Sequence, residues 1–295
     1  MKKILNIITG VVCVSLFILG VILVAVGLKK GGKLKFNIDY KNKTVTETRM
    51  DVTEDELKFD TFDDILVDVS VGNIKIVEGD EYAVKYRLIG ETEVEVQDNA
   101  LVVRNNDQSN TMLGISIGRD GVSLNFTDFF HGFESGDNYV EITVPKTSEN
   151  AKFNIKTNVG NCHIEGMNVA SLDVDGDVGR IELVGVTAKD CKIKNAVGNF
   201  EAKNSTFADL VANLSTGSVK LLDVKFNTAT IDSDTGSING NVLGDEKDYS
   251  CDFSTDTGKI KVDGKSVGQN YKSNTSTNMK AKISTDTGSI NIQFK

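Results

Sequence analysis

Tryptophan is absent from this chain, proline occurs once, histidine twice and arginine only five times in 295 residues. The two histidines, His131 and His163, have no cysteine or second histidine at ligand spacing, so no zinc-type site can be assembled around them. With no tryptophan and five arginines, there is little to stack on sugars or to grip an acidic polymer. Basic charge is also short where it would matter. Residues 1–35 carry six lysines and no acid, which leaves 27 Lys+Arg against 42 Asp+Glu in the remainder, a net charge of −15. Nucleic acid is excluded as a partner, because binding it requires a basic face that displaces counterions. A single proline beside 27 glycines and abundant Thr, Ser and Asn speaks against a helical bundle. It favours many short strands joined by polar turns.

One long apolar run is present. Residues 4–28 are 25 positions without a charge, and at ~1.5 Å rise per residue a helix of that length crosses a ~30 Å hydrocarbon core. The run exceeds the roughly 7–15 residues of a secretory signal peptide, so an uncleaved signal-anchor is expected, although Ala25-Val26-Gly27 has the character of a cleavage site. Cys13 lies inside the run without a lipoprotein context. Lys2 and Lys3 precede the run while Lys29, Lys30, Lys33 and Lys35 come after it. Taken alone, that balance places the large domain in the cytoplasm; long C-terminal domains, however, translocate in spite of flanking charge.

A nineteen-residue period dominates the C-terminal half of the chain. Val-Gly or Thr-Gly recurs with its glycine at Gly160, Gly179, Gly198, Gly217, Gly236, Gly258 and Gly288, at intervals of 19, 19, 19, 19, 22 and 30. Such a repeat is too short for a helix pair or a propeller blade and fits one coil of a β-solenoid. Two places after each glycine stand Cys162, Ile181, Phe200, Val219, Ile238, Ile260 and Ile290; two further on stand Ile164, Leu183, Ala202, Leu221, Gly240, Val262 and Ile292. The intervening position is polar, so a short strand turns one face inward and the other to water. Upstream, Leu172, Cys191, Leu210, Ala229 and Cys251 form a further column, as do Val174, Ile193, Ala212, Ile231 and Phe253. Val169, Ala188, Phe207 and Phe226 mark an inward corner or short third face. The fold class is therefore all-β, a parallel β-solenoid with coils of about 19 residues behind one N-terminal transmembrane helix. The longer final intervals read as loop insertions.

Three regions result: 1–35, the signal-anchor and basic juxtamembrane segment; 36–150, irregular β coils and a cap with a loop insertion at 105–138; and 151–295, the regular repeats. The insertion is rich in Gly, Asn and Asp. The stretch 65–76 shows the coil signature early, through Val71-Gly72-Asn73.

The sequence resembles the membrane-anchored putative-adhesin β-strand-repeat proteins of Gram-positive cell envelopes. The likeness rests on Val67-Asp68-Val69-Ser70-Val71-Gly72-Asn73-Ile74-Lys75-Ile76-Val77-Glu78-Gly79, on Tyr139-Val140-Glu141-Ile142-Thr143-Val144-Pro145 and on the repeated Val/Thr-Gly-Asn/Ser units. It spans about residues 60–295 and the anchor. It implies a single-pass protein of the cell membrane whose β domain lies outside, with no catalytic residues to carry over and a biochemical role that the family leaves undefined.

The remaining chemistry is sparse. Cys162 falls in one core column and Cys191 and Cys251 in another, where leucine and alanine stand elsewhere, so all three are expected as buried apolar groups. Three coils at ~4.8 Å separate Cys191 from Cys251 by ~14 Å, beyond the ~7 Å limit for a disulfide. Asp173, Asp175 and Asp177 resemble the start of a calcium loop, but Val184 stands where the closing glutamate belongs, and a solvated acidic stripe is the expectation. No cofactor or metal is expected. Phe126, Phe129, Phe130 and Phe133 cluster beside His131 in a polar segment; they form either a contact loop for a partner or bilayer, or a hairpin capping the solenoid. The last strand, 289–294, runs to the C terminus and suggests an open edge for self-association. The preferred reading is a non-enzymatic envelope protein that presents an acidic solenoid for binding, adhesion or stress sensing, to a protein or an envelope polymer. The alternatives are a carbohydrate-active β-helix enzyme, for which paired carboxylates would be needed, and a cytoplasm-facing tethered regulator.

Overall fold

The computed structural model describes residues 52–106, 138–145, 149–273 and 277–295, together with the backbone of four short strands. Those four form two antiparallel hairpins, Asn37–Asp39 with Thr44–Thr46 and Gly114–Gly118 with Gly121–Asn125. They belong to one compact unit, Met1–Arg49 with Asn110–Phe130; Met50–Ser109 and His131–Lys295 make up a second. The second unit is all-β and mostly parallel. No helix among the described residues is long and apolar enough to cross a membrane, and the expected transmembrane helix at 4–28 lies outside them.

Each coil of the second unit is a short strand, a corner and a long strand. In one coil these are Cys162–Glu165, the corner at Met167, and Asn168–Val178, with alternate side chains buried throughout. The next coil, Ile181–Val184 and Thr187–Val197, pairs with it in parallel at an offset of 19, Cys162 opposite Ile181 and Leu172 opposite Cys191. Stacking the short strands makes one face and stacking the long strands makes another, with the apolar columns meeting between them. Val169, Ala188, Phe207 and Phe226 are buried at the corner, as the period predicts. No coil could bury its own inner face alone, so stability depends on neighbours.

The return from long to short strand is made at the glycine, and the reason for glycine is close approach. A Cβ on Gly179 would lie 1.9 Å from the carbonyl oxygen of Gly160, and one on Gly217 would lie 1.8 Å from that of Gly198. Side chains around this corner complete the backbone hydrogen bonding. Three positions before the glycine, an inward polar side chain donates to the glycine carbonyl of the adjacent coil: Asn195 Nδ2 to Gly179 (2.9 Å), Thr285 Oγ1 to Gly236 (3.0 Å) and Thr255 Oγ1 to Gly288 (2.8 Å). One position after it, asparagine accepts from the next coil's backbone: Asn73 Oδ1 from Asn161 N–H, and Asn161 Oδ1 from Arg180 N–H, each at 2.9 Å. The Val/Thr-Gly-Asn/Ser motif is thus a corner that hydrogen-bonds itself to its neighbours.

Two departures from sequential stacking correct the sequence reading. Tracing the glycine contacts from coil to coil gives Gly72, Gly160, Gly179, Gly198, Gly217, Gly236, Gly288 and then Gly258. The C-terminal strands Met279–Thr287 and Ile290–Phe294 are wedged between the coil at 225–242 and the coil built from Tyr249–Thr257 and Ile260–Val262. The long final intervals are therefore an inversion of coil order, and not simply loop insertions. Ala281 lies between Ala229 and Cys251 in the core column. Cys191 and Cys251 are four strand spacings apart instead of three, about 19 Å at ~4.8 Å each. The expected open edge at 289–294 is covered over most of its length: Ile290–Phe294 pairs with Ile238–Val242 on one side and Ile290–Ile292 with Ile260–Val262 on the other, which removes the structural ground on which self-association there was expected. At the other end Tyr139–Val144 is likewise wedged, parallel to Asn73–Glu78 and antiparallel to Tyr82–Ile89.

Both ends close with strands that run backwards. Val52–Phe59 pairs antiparallel with Tyr82–Ile89, and Glu91–Gln97 with Ala100–Asn106. At the opposite end Lys265–Gly268 and Asn270–Ser273 turn back against Ile260–Val262 and Tyr249–Thr257. These are the outermost described strands, and they carry exposed charge: Glu54, Asp55, Glu56, Glu91, Glu93 and Glu95 at one end, Lys265 and Lys272 at the other. Charged edges discourage further strand pairing.

Candidate functional site

With the interior filled by apolar columns, chemistry is confined to the outward positions, which stacking also arranges in columns. On the short-strand face one column runs Glu56, Lys85, Glu141, Lys75, His163, Glu182, Glu201, Lys220 in register across eight strands. Signs alternate along most of it, and neighbours pair: Lys75 Nζ to Glu141 at 2.6 Å, Lys220 Nζ to Glu201 at 3.3 Å and Lys85 Nζ to Glu56 at 3.9 Å. Opposite charges directly across strands favour this register, each exposed pair by less than about 1 kcal/mol.

His163 is the one imidazole in the column. Its Nδ1 lies 3.0 Å from Glu182 Oε2 of the next coil, and its Nε2 lies 3.3 Å from Glu165 Oε2 of its own strand. The period places His163 outward, with no histidine or cysteine at ligand spacing; its partners are carboxylates. Glu182 was accessible to the same reasoning, since 163 and 182 differ by one period. The two carboxylates approach opposite ring nitrogens, so they do not converge with the ring on one point. Among the described residues no group of three or more His, Cys, Asp or Glu is arranged to hold a metal ion.

The long-strand face carries the aspartate run. Asp173 is in register with Lys192, and Asp175 sits between Lys156 and Lys194, so the expected acidic stripe is an alternation of sign where those two aspartates lie. An open, shallow trough of about 270 Å³ runs beside them, lined on its polar side by Asp175, Asp177, Lys194, Asn213, Asp232 and Asp234. The three cysteines at 162, 191 and 251 are buried and free. Burial pushes the Cys162 thiol up to about 12 and the Cys251 thiol up to about 11, and burial next to the Asp173 carboxylate also raises Cys191. These thiols are core groups and not nucleophiles. Phe126, Phe129, Phe130 and Phe133 lie outside the described residues.

Comparison with solved structures finds distant similarities. The chain is similar to the crystal structure of a putative adhesin from Bacteroides fragilis (16% identity, TM-score 0.43, covering 83% of this chain and 97% of that one). It is also similar to a putative cell adhesion protein from Clostridium sporogenes (12%, TM-score 0.32, 84% and 100%). A third similar structure is a putative lipid binding protein from Parabacteroides distasonis (14%, TM-score 0.43, 82% and 96%). No curated protein matches. Residues 62–293 match the Toastrack DUF4097 family, whose function is undefined, and the chain belongs to that family.

Proposed function

We propose that this is a non-enzymatic protein of the cell envelope, held in the membrane by residues 4–28, whose solenoid is a binding surface for a protein or envelope polymer. The observation that supports it most is the outer surface itself. Inward positions are committed to the core, while outward ones form columns repeated at the ~4.8 Å strand spacing, a lattice suited to an extended partner and not to one small substrate. The uncharged run and the family resemblance support the anchored, extracytoplasmic placement. The four lysines after the run favour the opposite one, with a cytoplasm-facing domain.

One experiment separates these. Protease added to intact cells removes the β domain if it faces outward; protection in intact cells with cleavage after lysis overturns the placement. Co-sedimentation of the detergent-solubilised full chain with isolated cell envelopes then tests binding, and failure to sediment above a denatured control overturns the binding role.

A further inference from the structure

The inward column beside the glycine corner is polar at six of nine positions, apolar at Val69 and Leu214, and without a side chain at Gly176. In stacking order it reads Asn105, Val69, Thr157, Gly176, Asn195, Leu214, Ser233, Thr285, Thr255. Gly176 presents no side chain, and the two buried side-chain atoms left without a hydrogen-bond partner among the described residues flank it: Thr157 Oγ1 on one side and Asn195 Oδ1 on the other. Both residues are 3% exposed. Asn195 spends its Nδ2 on the Gly179 carbonyl, which turns Oδ1 back toward Gly176, 3.2 Å from where a Cβ would stand. Thr157 departs from its column: Thr255 and Thr285 donate to a glycine carbonyl, whereas the Thr157 hydroxyl does not reach that of Gly72. The Gly160 carbonyl, which a side chain at 176 would serve by the same rule, receives no described side-chain donor.

We propose that Gly176 is a hydration site inside the solenoid, where one ordered water accepts from Thr157 Oγ1 and donates to Asn195 Oδ1 and to the Gly160 carbonyl. Asn195 Oδ1 and Ile181 Cδ1 border the space of the omitted side chain, and Thr157 is in register with Gly176 on its other side. Three partners is the usual complement of a buried water, and a polar lining is what distinguishes a wet site from a dry void. An unpaired buried hydroxyl would otherwise cost the desolvation of that group. The water joins the coil at 157–160 to the coil at 195 across the intervening Gly176. It also accounts for glycine at 176 without invoking a backbone turn.

The test is a high-resolution crystal structure of the full chain, with melting of the full-length protein in detergent. A density peak within hydrogen-bonding distance of both Thr157 Oγ1 and Asn195 Oδ1 is expected. No peak, or a Thr157 hydroxyl rotated onto the Gly72 carbonyl, overturns the proposal. Thr157→Val gives an independent sign. If the water is held, removing its donor lowers Tm by about 2–4 °C. If the hydroxyl is simply orphaned, the isosteric methyl raises Tm, which also overturns the proposal. Thr157→Val and Asn195→Leu, about two strand spacings apart, are expected to be non-additive; additive shifts are the expectation for residues that share no partner and count against the bridge.

Discussion

Gly217 and Gly198 stand in adjacent coils so close that a Cβ on the first would lie 1.8 Å from the carbonyl oxygen of the second. Neither atom belongs to a flexible side chain, so relief requires the coils to separate. Gly217→Ala is expected to destabilise by at least about 4 kcal/mol, in the range reserved for broken packing. Gly264 supplies the contrast. It has φ +76° but nothing within 4 Å of a Cβ, so Gly264→Ala meets only left-handed strain, about 1–2 kcal/mol. Comparable losses at the two sites in chemical denaturation would mean that stacking contact is not what selects glycine.

Coil order can be read by cross-linking. Asn239 is in register with Asn291, and Asn291 with Lys261. Cysteines at 239 and 291 are one strand spacing apart, within the ~4.4–6.8 Å Cα range of a disulfide, while 239 and 261 are two spacings apart and beyond it. In a Cys13→Ser background, mild oxidation is expected to link Asn239→Cys to Asn291→Cys and to leave Asn239→Cys with Lys261→Cys open. The reverse pattern would restore sequential stacking.

That inversion was the part of the fold that the sequence concealed. The period located the glycine corners and the columns that begin at Cys162, Ile164, Val169, Leu172 and Val174, because a side chain facing inward in one coil must face inward in all; the corner column Met167, Val186 and Val224 was missed. Order is a different property. Cys251, Phe253, Ile260 and Val262 are as acceptable beside Ala229, Ile231, Ile238 and Gly240 as are Ala281, Ile283, Ile290 and Ile292, so alternation cannot rank the two arrangements. The signal was the change in interval from 19 to 22 and 30, which marks where regular succession ends and not what replaces it. The outer columns were partly legible: once the period is known, His163 and Glu182 fall together, but the approach of Glu165 to the same ring depends on side-chain conformation.

The cysteines give a probe of solenoid integrity. All three buried thiols are raised by burial, and the thiolate is the reactive form. At pH 8 the folded chain is expected to leave Cys162, Cys191 and Cys251 unmodified by an aromatic disulfide reagent and to yield all three on denaturation. Cys251 should be the first to react on partial unfolding. Its thiol is the least raised of the three, and its backbone N–H donates to Ser273 Oγ of the terminal turn-back strand at 3.2 Å. Rapid modification of Cys162 in the native protein would mean that the central coils open.

The turn-back strand Asn270–Ser273 also carries an alkaline limit on stability. Tyr271 packs on Phe253 with ring centroids 5.8 Å apart, and its hydroxyl donates to Glu246 Oε1. That hydrogen bond, with burial adding to it, pushes the Tyr271 phenol up to about 12 from the ordinary value near 10. A raised acid favours its protonated form in the folded state. Its contribution is therefore complete below pH ~10 and is lost as pH rises from about 10 through 12. Tyr271→Phe removes the donor and keeps the ring, so it should lower Tm at pH 8 and flatten the further fall between pH 9 and 11. Lysine titration is common to both proteins and cancels in the difference. A variant whose Tm falls in parallel with the wild type across that interval would show that the Tyr271–Glu246 bond does not hold the end of the solenoid closed.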